Sequence, residues 1–184
     1  MSKGLSRFAW SLVLVVYATF LAAAAPIDEP RRTVTNFYGL YIKVRPLGIP
    51  KQSDLRKLEP YLSSALSQNL KQALAAEQRY GKKNKNEVPP LVEGDIFSSL
   101  FEGATGFAVQ SCETKGQSAT CTMSFTRDNR DGKTPTRWQD RVYLLHETRG
   151  WKIDDIEYLG DWQFMHKGRL KELLKQVIEE GSKS

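Results

Sequence analysis

The spacing of apolar positions changes three times along this chain, and each change marks a different kind of element. Phe8 to Ala25 is an uncharged, largely apolar run. Val34, Phe37, Tyr38, Tyr41 and Val44 then recur at helical spacing. They predict an aromatic-faced helix from about Arg31 to Arg45, ended by Pro46, Gly48 and Pro50. Ser53 can cap a short turn through Leu58, and Pro60 suits a first helical position. Leu62, Leu66, Leu70 and Leu74 repeat every four residues, with Ala65 and Ala73 alongside. This second long helix is expected to reach Tyr80, with Gly81 just beyond its end. Lys82 to Pro90 reads as a polar loop. Leu91 to Gly103 suits either a short helix or an apolar loop packed on the core.

From Thr105 the period becomes two. Phe107, Ala108 and Val109 begin a first strand, and Ala119, Cys121, Met123 and Phe125 alternate along a second. Asp128 to Lys133 is a turn-rich connection, without the spacing or the glutamate of a calcium loop. Arg137 to Glu147 is the third strand and Trp151 to Tyr158 the fourth. Thr148, Arg149 and Gly150 form a three-residue hairpin loop between them. That loop pairs Glu147 with Trp151 and Leu145 with Ile153. Ile156 and Tyr158 are out of phase with Trp151 and Ile153, so one extra residue at Asp154-Asp155 is needed. A β-bulge is therefore expected there. Tyr143, Leu145, Trp151, Ile153, Ile156 and Tyr158 would then line one concave surface. Leu170, Leu173, Leu174, Val177 and Ile178 mark a terminal helix ended by Gly181. The fold class is α+β: N-terminal helices on a curved antiparallel sheet of about four strands, plus a C-terminal helix.

The apolar start changes this picture. Lys3 and Arg7 precede it, and Ala22, Ala23, Ala24 and Ala25 follow, then Pro26. Basic start, apolar run and small-residue end are the layout of a secretory signal peptide. Ala22 and Ala24 occupy the −3 and −1 positions for a cut after Ala24. Residues 1–25 are thus read as leader, 26–181 as one domain and 182–184 as a tail. The chain is expected in the periplasm or secreted. An uncleaved leader would be a membrane anchor, and only then is membrane contact expected. No Cys follows the run, which argues against a lipid-modified N-terminus.

Formal charge is +6, and losing Lys3 and Arg7 leaves +4. In an exported chain that excess speaks for solvated loops, or for contact with anionic lipid, polysaccharide or an acidic partner, rather than nucleic acid. Two cysteines suit one disulfide in an oxidising compartment. If Gly116 and Gln117 are the central residues of a type II′ turn, Cys112 faces Cys121 at a non-hydrogen-bonded position, where side chains lie closest. Neither His nor a third Cys is near, so a structural bridge between Cys112 and Cys121 is expected rather than a metal site.

Three segments carry a family likeness: Asn36-Phe37-Tyr38-Gly39-Leu40-Tyr41, Glu93-Gly94-Asp95-Ile96-Phe97, and Gly150-Trp151-Lys152-Ile153-Asp154-Asp155-Ile156. Over roughly Thr33 to Tyr158 the chain resembles a bacterial family of exported domains of unknown function within the nuclear transport factor 2-like superfamily. The resemblance implies a cone in which a curved sheet wraps around helices. In place of Ile96 the family pattern would carry proline, and the C-terminal helix exceeds the minimal core. The resemblance implies no particular activity.

Enzymes of that superfamily place an acid or base inside the cone. The candidates here are Asp154 and Asp155, with Tyr143 or Tyr158. Adjacent carboxylates at a distorted strand edge are more often solvated. Trp151, Trp162 and Phe164 are candidate binding residues, the last two from an aromatic cluster, Asp161 to Met165, that also suits a core lid. His146 and His166 have no partner at triad or metal spacing and are expected in surface or satisfied roles. No Gly-x-Ser-x-Gly or phosphate-binding glycine loop occurs, and no cofactor or metal is expected. The leading expectation is a non-enzymatic exported binding module that takes a protein partner or a small molecule in the cone. An inhibitor or immunity protein against a toxin or hydrolase is the alternative of the same kind, and a small-molecule enzyme that of another. The leader reading is checked by intact mass and N-terminal sequencing of exported protein, which should begin at Ala25. A chain retaining Met1 or Ser2 would instead be tethered.

Overall fold

A computed structural model describes residues 28–85, 91–129, 134–162 and 166–183. The leader, Phe164 and most of the Asp128–Lys133 turn lie outside the described residues. Helix α1 spans Glu29–Val44, α2 Gln52–Leu58 and α3 Ser64–Lys83, with a 3-10 turn over Glu59–Tyr61. Strands β1 Gly106–Lys115, β2 Ser118–Arg127, β3 Thr136–Glu147 and β4 Gly150–Tyr158 follow, then α4 Leu170–Lys183. The strands form one antiparallel sheet in the order β1-β2-β3-β4.

Helix α1 starts where Asp28 accepts from the Arg31 amide at 3.1 Å, with Pro30 in the first turn. It ends where Arg45 turns left-handed at φ 46°. Its buried face is Val34, Phe37, Tyr38 and Tyr41, laid against the core side of the sheet. Helix α3 begins four residues later than Pro60 suggests. Pro60 sits in the 3-10 turn, and Ser63 caps α3 by accepting from Leu66 N at 3.0 Å. Lys51, not Ser53, is the cap position of α2.

Both glycines read as helix stops lie inside helices. Helix α3 continues through Gly81 to Lys83, so Lys82 and Lys83 are its last turn rather than loop. Helix α4 continues through Gly181, which lets it approach α3. A Cβ at Gly181 would lie 2.7 Å from Ala76 Cβ and 2.8 Å from Ala76 O. A missing Cβ is needed there for helix contact, not for a turn.

The β1–β2 hairpin has the expected register. Lys115 faces Ser118 and Cys112 faces Cys121 across Gly116-Gln117, with Gly116 at φ 60°. The two Cys Cα atoms are 4.1 Å apart and the disulfide is formed. A bulge at Gln110 shifts the register between Val109 and Ser111. The expected β4 bulge is present too: Tyr143 pairs with Asp155 and Leu144 with Ile153, leaving Asp154 as the extra residue.

The β3–β4 loop is one residue shorter than expected. Gly150, at φ 86°, itself pairs with Glu147, so the turn is Thr148-Arg149. A one-residue slip exchanges the two faces of a strand. Accordingly Val142 and Leu144, not Tyr143 and Leu145, join Ile153, Ile156 and Tyr158 in the core. Leu145 is 39% exposed on the opposite face.

Sheet edges are covered rather than left open. Ser63 N donates to Ile153 O at 2.7 Å, and Tyr158 N to Gly168 O at 3.0 Å, along β4. On β1 the Arg31 guanidinium donates to Val109 O at 2.7 Å. Gly181→Leu should lower stability by about 1–3 kcal/mol through overpacking against Ala76. Gly39→Ala, facing open space on α1, should leave it level or raise it by roughly 0.5–1 kcal/mol. Urea unfolding of both variants checks this.

Candidate functional site

The segment from Leu91 to Gly103 has no regular structure, yet Val92, Asp95, Ile96, Phe97, Ser98 and Ser99 are buried. It fills the space between α1 and the sheet. Phe97 meets Phe37 edge-on at 5.4 Å and Tyr41 at 6.1 Å. Its carbonyls are satisfied by phenols: Tyr38 OH donates to Phe97 O at 2.9 Å and Tyr158 OH to Ile96 O at 2.7 Å.

Two buried aspartates tie it in place. Asp95 accepts from Tyr41 OH at 2.6 Å, from Phe97 N at 3.0 Å and from Ser98 OH. Burial pushes its pKa up to about 6, against the pull of those donors. Asp140 accepts from Ser99 N at 2.8 Å, Leu159 N at 2.9 Å, Trp138 Nε1 at 3.1 Å and the Ser99 hydroxyl. Burial raises its pKa as well. Sequence reasoning missed both. Asp140 did carry a signal, since it stands two residues from Trp138 and from Val142 and so shares their inward face.

His166 is half-buried beside this region. Its ring lies 5.5 Å from that of Tyr158, and its Nε2 has no partner among the described residues. Burial holds its pKa below the usual imidazole value. It precedes α4, which starts only at Leu170.

The four candidate acid–base residues do not converge. Asp154 accepts from Ser63 OH at 2.7 Å and from Lys171 Nζ at 2.6 Å. Asp155 accepts from Ile156 N at 2.9 Å and Lys171 N at 3.1 Å. Burial raises the Asp155 pKa, opposed by those amides and then by Lys171 and Arg169. Tyr158 is buried and donates to Ile96 O. Tyr143, on the outer face, donates to Glu157 at 2.7 Å beneath the Arg169 guanidinium, 4.4 Å from its ring. Trp151 is half-buried and edge-on to His146 at 5.1 Å. Trp162 is 39% exposed and edge-on to Trp138 at 6.0 Å.

An open groove of about 690 Å³ lies elsewhere, between the Arg56–Lys71 region and the β3–β4 hairpin. Its carboxylates are already engaged. Glu59 takes Ser67 OH at 2.9 Å and the Lys71 ammonium, which holds its pKa below the usual value. Glu147 takes Ser64 N at 2.9 Å and Ser64 OH at 3.0 Å. Lys152 donates to Pro60 O. Arg56 and Arg149 line the same groove, are exposed, and have no side-chain partner among the described residues.

Comparison with known proteins gives one informative likeness. The chain is similar to the uncharacterized lipoprotein YbjP of Escherichia coli (strain K12), 28% identical over 146 residues. The alignment covers 79% of this chain and 75% of that protein. No family model matches, and no solved structure is significantly similar. A lipoprotein relative fits an exported bacterial protein of unknown function.

Because Asp95 binds its proton more tightly folded than unfolded, its contribution to stability is full below about pH 4. It is lost as pH rises to about 6. Urea unfolding from pH 4 to 7 should therefore show the wild type's advantage over Asp95→Asn shrinking as pH rises. An advantage independent of pH would contradict the assignment.

Proposed function

We propose that this chain is an exported, non-enzymatic binding module of nuclear transport factor 2-like construction, acting on a protein partner in the periplasm. One observation carries the reading: the space under the sheet, where a cone-shaped enzyme would hold its substrate, is filled by residues 91–103. The residues with acid–base potential support it. Asp154 and Asp155 hold helix ends, and Tyr158 holds the inserted segment. Among the described residues, the groove beside the hairpin is open to a ligand.

Leader, disulfide and lipoprotein relative all favour work outside the cytoplasm. A leader cut near Ala24 would free the domain to meet its partner in solution. The relative is, by its printed name, a lipoprotein.

In-cell crosslinking of a tagged chain in the periplasm tests the reading. A single protein recovered in stoichiometric amount is the expected result. Recovery of no protein, together with a small molecule turned over by the wild type but not by Asp155→Asn, would replace the module with an enzyme.

A further inference from the structure

The groove beside the β3–β4 hairpin has an unusual charge arrangement. Four cations line it, Arg56, Lys71, Arg149 and Lys152, against two carboxylates, Glu59 and Glu147. Lys71 is spent on Glu59 and Lys152 on Pro60 O. Glu147 is spent on the first turn of α3. The two arginines come from separate elements, α2 and the Thr148-Arg149 turn, and neither side chain has an internal partner among the described residues. A guanidinium presents a planar fork that matches a carboxylate in two parallel hydrogen bonds.

We propose that this groove binds an acidic peptide segment of the partner protein, with Arg56 and Arg149 each taking one carboxylate. The inference rests on the binding-module reading and supplies its site and ligand chemistry. The fixed glutamates decide between anions. Ser67 and Lys71 donate to Glu59, and Ser64 donates to Glu147, which seats both carboxylates in the groove. A dense polyanion would be repelled by both. A peptide spaces its carboxylates along a backbone of amides, which can pass the glutamates and meet the exposed Gln68. The mature excess of positive charge draws such a segment in, and salt weakens that attraction.

End-blocked peptides carrying two glutamates one to six residues apart, and their glutamine counterparts, are titrated into the isotope-labelled processed chain. Inorganic phosphate and phosphatidylglycerol vesicles are the comparison anions. At least one glutamate spacing should shift amides of residues 56–71 and 147–152. It should bind at least tenfold more tightly than its glutamine counterpart, and lose that margin in 0.5 M salt. Arg56→Ala with Arg149→Ala should weaken binding at least tenfold and leave the thermal midpoint unchanged, because neither arginine holds the fold. Equal binding of glutamate and glutamine peptides, shifts mapping elsewhere, no binding at any spacing, or preference for phosphate or vesicles would overturn the proposal. A crosslinked partner that survives the double substitution would also overturn it while leaving the binding module standing.

Discussion

The bulge in β4 joins the sheet to α3 and α4, and most of the architecture depends on it. One extra residue at Asp154 turns two adjacent carboxylates to different tasks. Asp154 reaches Ser63, whose hydroxyl caps α3, and the ammonium of Lys171. Asp155 accepts the Lys171 amide in the first turn of α4. Glu172 completes that end by accepting from Arg169 N at 3.1 Å, the far half of a capping box. Helix N-termini favour negative charge, and a lost cap costs typically about 1 kcal/mol. The same extra residue lets Ile153 and Ile156 both face the core, which regular alternation forbids.

With the helices held at one edge, the core side of the sheet still has to be covered. An irregular segment does it, and irregular segments bring backbone groups that need partners. Residues 91–103 find theirs in side chains: phenols from α1 and β4, and carboxylates at 95 and 140. Each buried aspartate accepts at least three hydrogen bonds, which offsets much of the cost of removing it from water. The result is a plug fixed by polar contacts and packed by Ile96 and Phe97, so the interior is core rather than chamber.

Features governed by local geometry were legible in the sequence. The Cys112–Cys121 register follows from a two-residue turn that needs Gly at its first position, and the β4 bulge follows from side-chain parity. The β3–β4 turn was not, because a left-handed Gly fits inside a loop or just after it, and the two choices reverse Tyr143 and Val142. Gly81 and Gly181 misled for a related reason. Glycine after a periodic run marks a stop or a close helix contact, and only the neighbouring helix tells which. Residues 91–103 have no period to read because their partners are distant side chains. Asp154 and Asp155 were correctly located, but their role depends on Ser63 and Lys171, far off in sequence.

This use of acidic residues inside the fold shapes the surface that is left. Asp154 and Asp155 serve helix ends, Asp95 and Asp140 the plug, and Glu147 and Glu59 the start of α3 and the turn before it. Carboxylates so committed cannot neutralise the cations around them. A net positive charge spread evenly would be a matter of solubility. Here the shortfall is local, because the glutamates beside Arg56 and Arg149 are tied to serines and to Lys71. The exposed guanidiniums of Arg56 and Arg149 therefore face outward, along the groove of about 690 Å³ beside the hairpin.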